Sequence, residues 1–531
     1  MGTVREATFE LFRRHGATTI FGNPGSTELP MLADFPDDFR YILGLQEAVV
    51  VGMADGYAQA TGRPAHANLH TAPGVGNAMG AIFNAKANHS PLVITAGQQA
   101  RSMMTMEANL TNVDAPRMPQ PLTKWSFEVP RALDLPLALG RAFHQAALPP
   151  KGPTFVSIPM DDWDVEADPE SARLAIERST SGPGGANLAA TKEIAASIDA
   201  AVNPVLVAGP DLDSAAGHSA AVALAERGGL TVWASPAPGG GRIGFPESHP
   251  NYRGVLPPAV GPLGETLREH DLIIVAGASV FSYYPNIPGP MIAADSRLIQ
   301  ITSDPDEAAR APFGDAVVAD VALTVAALAE AIGNRRAAPE PNQPPYELPL
   351  SDPMSASNVM RILRGVWPDD AIAVVEAPTA TLAVRNQLRL SRPGSWYFGA
   401  GGGLGFGLAC SLGVALAEPD RKVVCILGEG STQYAVSGFW TAATYSIDVS
   451  FLILRNTEYS ILKWFAGLES VEGAPGLDLP GLDTAAIAGS YGVANRRAES
   501  AEELEAALAW SLASPGPSLV EVGVAPGMSI G

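Results

Sequence analysis

The stretch that decides the fold is KVVCILGEGSTQYAVSGFWTAATYSIDVSFLILRN, running from Lys422 to Asn456. It opens on an apolar, β-branched run, KVVCILG. TQYAVSGFWTAATYS (432–446) then reads as a helix, and VSFLILRN returns to an apolar run. Strand, helix and strand at this spacing predict a βαβ crossover, right-handed and with parallel strands. Parallel strands end on the same edge of a sheet. Glu429 and Asn456 are therefore expected side by side in the crevice where open α/β sheets bind cofactors. The turn Gly428, Glu429, Gly430, Ser431 opens the helix, whose free N–H groups and dipole favour phosphate. A carboxylate beside phosphates calls for a cation between them, and Mg2+ takes oxygen ligands of this kind. Read alone, the Gly-Glu-Gly triplet is equally compatible with a solvated turn acid.

The same alternation of short apolar runs, amphipathic stretches and small-residue turns fills the chain: TTIFGNPG, FRYILGL, HANLHTAPG, LVITAGQ and TFVSIP, then NPVLVAGP, LTVWASP, LIIVAGAS and LIQITSDP, then AIAVVEAP, KVVCILGEG, VSFLILRN and SLVEVGV. Such a pattern predicts an α/β protein with doubly wound parallel sheets. Two stretches rich in Pro, Gly and polar residues, 177–193 and 335–353, read as linkers. They divide the chain into three α/β domains, 1–180, 181–340 and 341–531. The 531 residues are 47% hydrophobic, enough for several buried cores. A net charge of -21, with no local basic stripe, excludes nucleic acid and anionic membrane surfaces as partners. The first residues carry scattered charges and no apolar core, and about 18 consecutive apolar residues occur nowhere, so neither secretion nor membrane insertion is expected. Two cysteines, Cys410 and Cys425, fit a reducing, cytoplasmic setting. All eight histidines precede residue 271, so catalysis in the last half proceeds without imidazole.

Other segments gain meaning in company. FGAGGGLGFGLACSLGVALA (398–417) is glycine-dense and then helical, so its backbone can approach a flat ligand closely or simply form a loop and a buried helix. Glu47 follows an apolar strand and starts a helix rich in Ala, Val and Gly; a carboxylate there is costly to bury unless something binds it, although it also suits the helix dipole. Ser26 lies in the turn IFGNPGSTELP, where it or Thr27 reads equally as a helix N-cap. His70 stands at a strand end before a Gly-rich helix start, a place for acid–base chemistry or for an ordinary core histidine.

Together, LQEAVVVGMADGYAQATGRP, FGNPGSTELP, GGLGFGLACSLGVALAEPDRKVVCILGEG and LRNTEYSILKWFAG resemble the thiamine diphosphate-dependent 2-oxo acid decarboxylases, within them the benzoylformate decarboxylases, and the resemblance extends through DFPDDFRYILGLQEA, LTNVDAP and IPMDDWD. It implies a pyrimidine-binding domain, a central Rossmann-like domain and a diphosphate-binding domain. It also implies a homotetramer built as a dimer of dimers, with cofactor between the first domain of one subunit and the third of its partner. By the same resemblance, Glu47 hydrogen-bonds the aminopyrimidine ring, Ser26 engages the substrate carboxylate, His70 is the acid–base imidazole, and Leu404 forces the cofactor into its bent shape. Thr379, with Gly428, Gly430 and Ser431, is implied at the diphosphate, and Ile461, Leu462 and Phe465 at the apolar wall of the substrate pocket. Glu429, Asn456 and Glu458 are implied as the metal site, for Mg2+ or Ca2+.

Three positions depart from the family pattern. Its metal pair is an aspartate between glycines and two consecutive asparagines, whereas this chain has Glu429 and Arg455-Asn456. The extra methylene predicts weaker metal binding or a larger cation, and one reading folds Arg455 onto Glu429 or the diphosphate in place of metal charge. Tyr284 stands where benzoylformate decarboxylases carry a second active-site histidine. A phenol, ordinarily titrating near ~10, donates a hydrogen bond but shuttles protons poorly near neutrality. Ile461 is bulkier than the residue expected there. The implied activity is decarboxylation of a benzoylformate-like 2-oxo acid to an aldehyde and CO2. Two alternatives stay open: a carboligase or aldehyde lyase acting on 2-hydroxy ketones, and a non-catalytic paralogue with an impaired metal site. A flavin-dependent relative is disfavoured by the lack of a G-x-G-x-x-G in the central domain.

Overall fold

The structure is a computed structural model that describes residues 2–236, 241–281, 283–333, 339–341, 345 and 348–528. It forms two compact units, one of Met1–Ser181, Val374–Ala377 and Gly401–Pro526, the other of Gly182–Ala373, Pro378–Ala400 and Gly527–Gly531. Three six-stranded parallel sheets carry the fold. The first contains β1 (Thr19–Gly22), β2 (Arg40–Leu43), β3 (Ala65–Leu69), β4 (Leu92–Gln98), β5 (Trp125–Glu128) and β6 (Thr154–Pro159), in the order β2-β1-β3-β4-β6-β5. The second contains β7 (Pro204–Ala208), β8 (Thr231–Ala234), β9 (Tyr252–Val255), β10 (Leu272–Ala276), β11 (Arg297–Thr302) and β12 (Asp315–Val318), in the order β12-β11-β10-β7-β8-β9. The third contains β13 (Ile372–Glu376), β14 (Trp396–Phe398), β15 (Val423–Gly428), β16 (Val449–Arg455), β17 (Ala494–Ala498) and β18 (Ser518–Gly523), in the order β14-β13-β15-β16-β18-β17. All thirteen apolar runs named above are strands.

Each sheet reverses its strand order near its middle, at β1/β3, at β7/β10 and at β13/β15, and the first and third turn back again at their far edge. At a reversal the loops leave in opposite directions and open a crevice at the strands' carboxyl ends. In the second sheet the segments leaving β7 and β10 pack closely. A Cβ on Gly209, just after β7, would lie 2.2 Å from the carbonyl oxygen of Gly277, just after β10, and one on Gly277 would lie 2.8 Å from Cβ of Asp211.

The expected linker at 177–193 is an extended connection after the helix Pro169–Glu177 and before the helix Leu188–Ala200, while much of 335–353 lies outside the described residues. The expected helix over 432–446 is instead three short pieces: an α-turn at Glu429–Thr432, a 3-10 turn at Gln433–Ala435 and a helix at Gly438–Thr444. The last piece starts at Gly438, where a Cβ would come within 2.3 Å of the Leu408 side chain.

Two helices hold the first unit together, Glu47–Thr61 and Phe406–Ala417, both apolar on nearly every face and both buried. They cross on small residues: Cβ atoms on Gly52, Gly56 and Gly413 would come within 2.6 Å of Ala409 Cβ, 2.2 Å of the Cys410 carbonyl and 1.9 Å of the Met53 carbonyl. Gly413→Ala places its methyl group against backbone, which cannot rotate away. The expected result is a loss of about 1–3 kcal/mol of stability, typical of overpacking, read as a lower unfolding temperature; an unchanged temperature would show that the crossing is looser than described.

Candidate active site

The first crevice is built from the ends of β1, β2 and β3. Past β1 the chain runs through Asn23 to Glu28, past β2 it enters the Glu47 helix, and past β3 it reaches His70 and the helix Thr71–Ala87. Glu47 is 7% exposed. Its Oε1 accepts from Asn23 Nδ2 at 3.1 Å and its Oε2 from Asn77 Nδ2 at 3.0 Å. The hydrogen-bond partners of this buried carboxylate are thus neutral amides rather than a cation, and Gln46 caps the helix below it through the Ala48 and Val49 amides.

Glu28, which sequence reasoning passed over, organises the other half of the crevice. Its side chain is buried; Oε2 accepts the Gly25 amide at 2.8 Å and meets His70 Nδ1 at 2.8 Å, while Oε1 accepts the Gly97 amide at 2.8 Å and the Thr27 hydroxyl at 2.8 Å. Thr27 Oγ1 also approaches His70 Nδ1, at 3.2 Å. With Nδ1 committed to the carboxylate, the imidazole presents Nε2 for proton transfer. Gly25 makes this possible, since a Cβ there would sit 2.1 Å from His70 Nδ1. The N-cap reading of Ser26 and Thr27 is not seen: the short helix Leu29–Leu32 follows Glu28 without a side-chain cap bond, Thr27 turns to Glu28, and Ser26 is exposed. The signal for Glu28 was in the quoted turn, two residues beyond Ser26.

The third sheet carries the second half of the expected site. β15 and β16 pair in parallel with Gly428 opposite Leu454, so Glu429 and Asn456 emerge on one edge, as their spacing implies. Glu429 is 2% exposed. Its Oε1 accepts the amides of Asn456 at 3.0 Å and Thr457 at 2.5 Å. Burial pushes its carboxyl above the usual range, against the pull of those amides and of the nearby Arg455 charge. Asn456 Nδ2 donates to Ser460 Oγ at 2.8 Å, and its Oδ1 accepts the Glu458 amide at 3.2 Å. The Glu458 carboxylate is taken up by Ser460 and Lys463. Arg455 does not fold onto Glu429. β16 lies beside β18, and the guanidinium reaches across to Glu521, with Nε 3.3 Å from Oε1. The carboxylate already buried there, 3% exposed, outcompetes Glu429 for it. Leu404 precedes the helix Phe406–Ala417 and is partly buried; on the helix Ser460–Leu468, Ile461 and Phe465 are half-buried and Leu462 exposed. In the second unit, Thr379 lies half-buried in a turn, and Tyr284 is 60% exposed with its amide on the Pro258 carbonyl at 2.8 Å.

These donors suit a ligand with a ring at one end and a metal-bound diphosphate at the other. Glu47 is a buried acceptor whose amide partners leave its charge unneutralised. The third sheet supplies the hard oxygens of Glu429 and Asn456 beside a glycine-flanked turn. Three family profiles match the chain: the thiamine pyrophosphate enzyme N-terminal TPP binding domain at 2–118, the central domain at 191–328 and the C-terminal TPP binding domain at 378–522. The chain is 49% identical to benzoylformate decarboxylase of Pseudomonas aeruginosa, across 98% of this chain and 99% of that one. It is 27% identical to the large subunit of acetolactate synthase isozyme 1 of Escherichia coli, across 98% and 93%. A thiamine diphosphate-dependent 4-hydroxybenzoylformate decarboxylase from Rhodococcus jostii superposes with a TM-score of 0.96 at 43% identity, covering 99% of this chain and 100% of that one. Benzoylformate decarboxylase from Polynucleobacter necessarius does so at 0.95 and 39%, covering 99% of each. The chain belongs to the thiamine pyrophosphate enzymes, in the family of the benzoylformate decarboxylases.

One further acid lies at the β13/β15 reversal. Glu376 ends β13, is fully enclosed, and has its carboxyl pushed up to about 8 by burial, against the hydrogen bonds it accepts from the Gly407, Gly405 and Phe406 amides. The reference value is 4.5, so the folded chain holds this proton at pH values where the unfolded chain has released it. Its contribution to stability is complete below pH 4.5 and is lost as pH rises through about 8. In Glu376→Gln this loss disappears. The unfolding temperature of the unsubstituted protein, measured at one scan rate, should therefore fall relative to the variant between pH 5.5 and 8.5; parallel curves would mean that the carboxyl is ionised throughout.

Proposed function

We infer that this protein is a thiamine diphosphate-dependent carboxy-lyase that converts a benzoylformate-like 2-oxo acid into an aldehyde and CO2. The observation that carries the reading is a buried Glu47 held by two neutral amides in the same crevice as the Glu28–His70 pair. When bound, the cofactor supplies a carbon nucleophile and a sink for the electrons left as CO2 departs. The protein's part is orientation and proton control. Glu47 would accept a hydrogen bond from the ring and so assist its acid–base chemistry. Ser26 offers its hydroxyl to the substrate carboxylate. His70, fixed at Nδ1 by Glu28, moves the proton through Nε2. Ile461, Leu462 and Phe465 form the apolar wall that excludes water and receives the substrate side chain, and Leu404 supports the bent cofactor.

At the other end, Gly428, Gly430 and Ser431 would hold the diphosphate. Glu429, Asn456 and Glu458 would hold Mg2+ or Ca2+. The placement of Arg455 on Glu521 supports a genuine divalent cation over a guanidinium substitute. The working enzyme is a homotetramer, a dimer of dimers, with domains at 1–180, 181–340 and 341–531. Neither cysteine forms a disulfide, in keeping with a cytoplasmic location. Tyr284 in place of a second histidine favours one additional activity: slower protonation after CO2 loss leaves time for an aldehyde to be captured as a 2-hydroxy ketone. Glu47, Ser26, Glu28 and His70 standing together speak against a non-catalytic chain.

Purified protein given thiamine diphosphate, Mg2+ and a panel of 2-oxo acids should release CO2 and aldehyde, fastest with aromatic substrates. Glu47→Gln should lower that rate at least about 100-fold, and turnover near the original rate would remove Glu47 from the chemistry. After treatment with a chelator, activity should return with Mg2+ or Ca2+. Full activity without any divalent ion would reassign the role of Glu429 and Asn456.

A further inference from the structure

Residues 401–407 read Gly-Gly-Gly-Leu-Gly-Phe-Gly, and Leu404 is the single side chain beyond glycine in the first five. A loop so poor in side chains has little of its own to fix its path, yet two buried polar groups grip it. Asn84, 3% exposed, donates from Nδ2 to the Gly403 carbonyl at 2.8 Å and accepts the Gly403 amide on Oδ1 at 3.0 Å. Glu376, 6% exposed, accepts the Gly405 amide at 2.8 Å and the Phe406 amide at 3.2 Å on Oε1, and the Gly407 amide at 3.0 Å on Oε2. The two grips flank Leu404, one just before it and one just after. The glycines are what let them close. Gly402 and Gly405 have φ of 72° and 96°. Cβ atoms on Gly401 and Gly407 would lie 2.7 Å from Asn84 Oδ1 and from Glu376 Cβ.

Asn84 is also part of a pattern. His70, Asn77 and Asn84 are spaced seven residues apart at the start and along the length of one helix, Thr71–Ala87. Seven residues are close to two turns, so Asn77 and Asn84 lie on one stripe of that helix. Along it stand the acid–base imidazole, the amide on Glu47 and the amide on the Leu404 loop.

We propose that Asn84 and Glu376 are positioning residues that act through Leu404, clamping the backbone on either side of it so that its side chain stays rigid where it supports the cofactor. The proposal rests on the reading of Leu404 as that support, and the test separates the two. In cofactor-free protein, hydrogen–deuterium exchange of the amides at 403 and 405–407 should speed up about 10-fold or more in Asn84→Ala and Glu376→Ala, with the rest of the helix Phe406–Ala417 unchanged. At saturating cofactor, kcat should fall about 10- to 100-fold in each variant, with KM for the 2-oxo acid within about 2-fold. Leu404→Ala should lower kcat by itself, and adding Asn84→Ala or Glu376→Ala to it should cost little more, since the group they hold is gone. Asn84→Asp, which keeps the acceptor for the Gly403 amide, should recover part of the loss and serves where Asn84→Ala fails to fold. Unchanged exchange, unchanged kcat, or losses that multiply with Leu404→Ala would overturn the clamp. If Leu404→Ala leaves kcat intact, the reading of Leu404 fails, and with it the claim that the clamp acts through this side chain.

Discussion

A carboxylate that is buried and held by neutral groups is the constraint around which the first unit is arranged. Desolvating an anion costs several kcal/mol even after relaxation, and Glu47 recovers it from two amide donors, Asn23 and Asn77, and from its place at a helix N-terminus. Asn23 follows β1 and Asn77 lies on the helix after β3, so keeping Glu47 aimed requires the strand order of the sheet. It also requires the Glu47 helix to stay put, which its crossing with Phe406–Ala417 on small residues secures. The second of those helices begins beside Leu404. In this way one packing contact ties the residue assigned to ring chemistry to the loop assigned to cofactor shape.

The first and third sheets share one strand order, the second has another, and each puts its reversal to a different use. In the first, the segments at the reversal bring together Glu28, His70 and Glu47, the residues proposed for proton chemistry. In the third, the reversal carries Glu376 and the turn at Glu429, with Asn456 one strand further along. In the second, Gly209, Gly277 and Asp211 pack closely at the ends of neighbouring strands.

How much was legible in the sequence follows from burial. Every strand read from its apolar run was present. The five that were missed, β5, β9, β12, β14 and β17, all lie at sheet edges; β14 is buried but only three residues long, and in the others the residues need not be apolar because one side needs no partner. Arg496 and Arg497 in β17 and Asp315 in β12 are exposed and give no strand signal. The helix after Glu429 was read too long because its periodicity continues through Gly438, a glycine required by contact with Leu408 rather than by local preference. At the site, Glu47, His70, Glu429 and Asn456 were legible from their positions after strands. Glu28, Asn77, Asn84 and Glu376 were not, because each acts by hydrogen bonding to a residue remote in sequence. Arg455 was misread for the same reason: its partner, Glu521, is 66 residues away along the chain.

The central claim is that Glu47, through its hydrogen bond to the bound ring, makes the protein itself responsible for activating the cofactor. The exchange rate of the C2 hydrogen of enzyme-bound thiamine diphosphate for deuterium, followed by NMR after acid quench and without any substrate, tests this most directly. Glu47→Gln should slow that exchange by about 100-fold or more while the cofactor remains bound. An exchange rate equal to that of the unsubstituted enzyme would contradict the account.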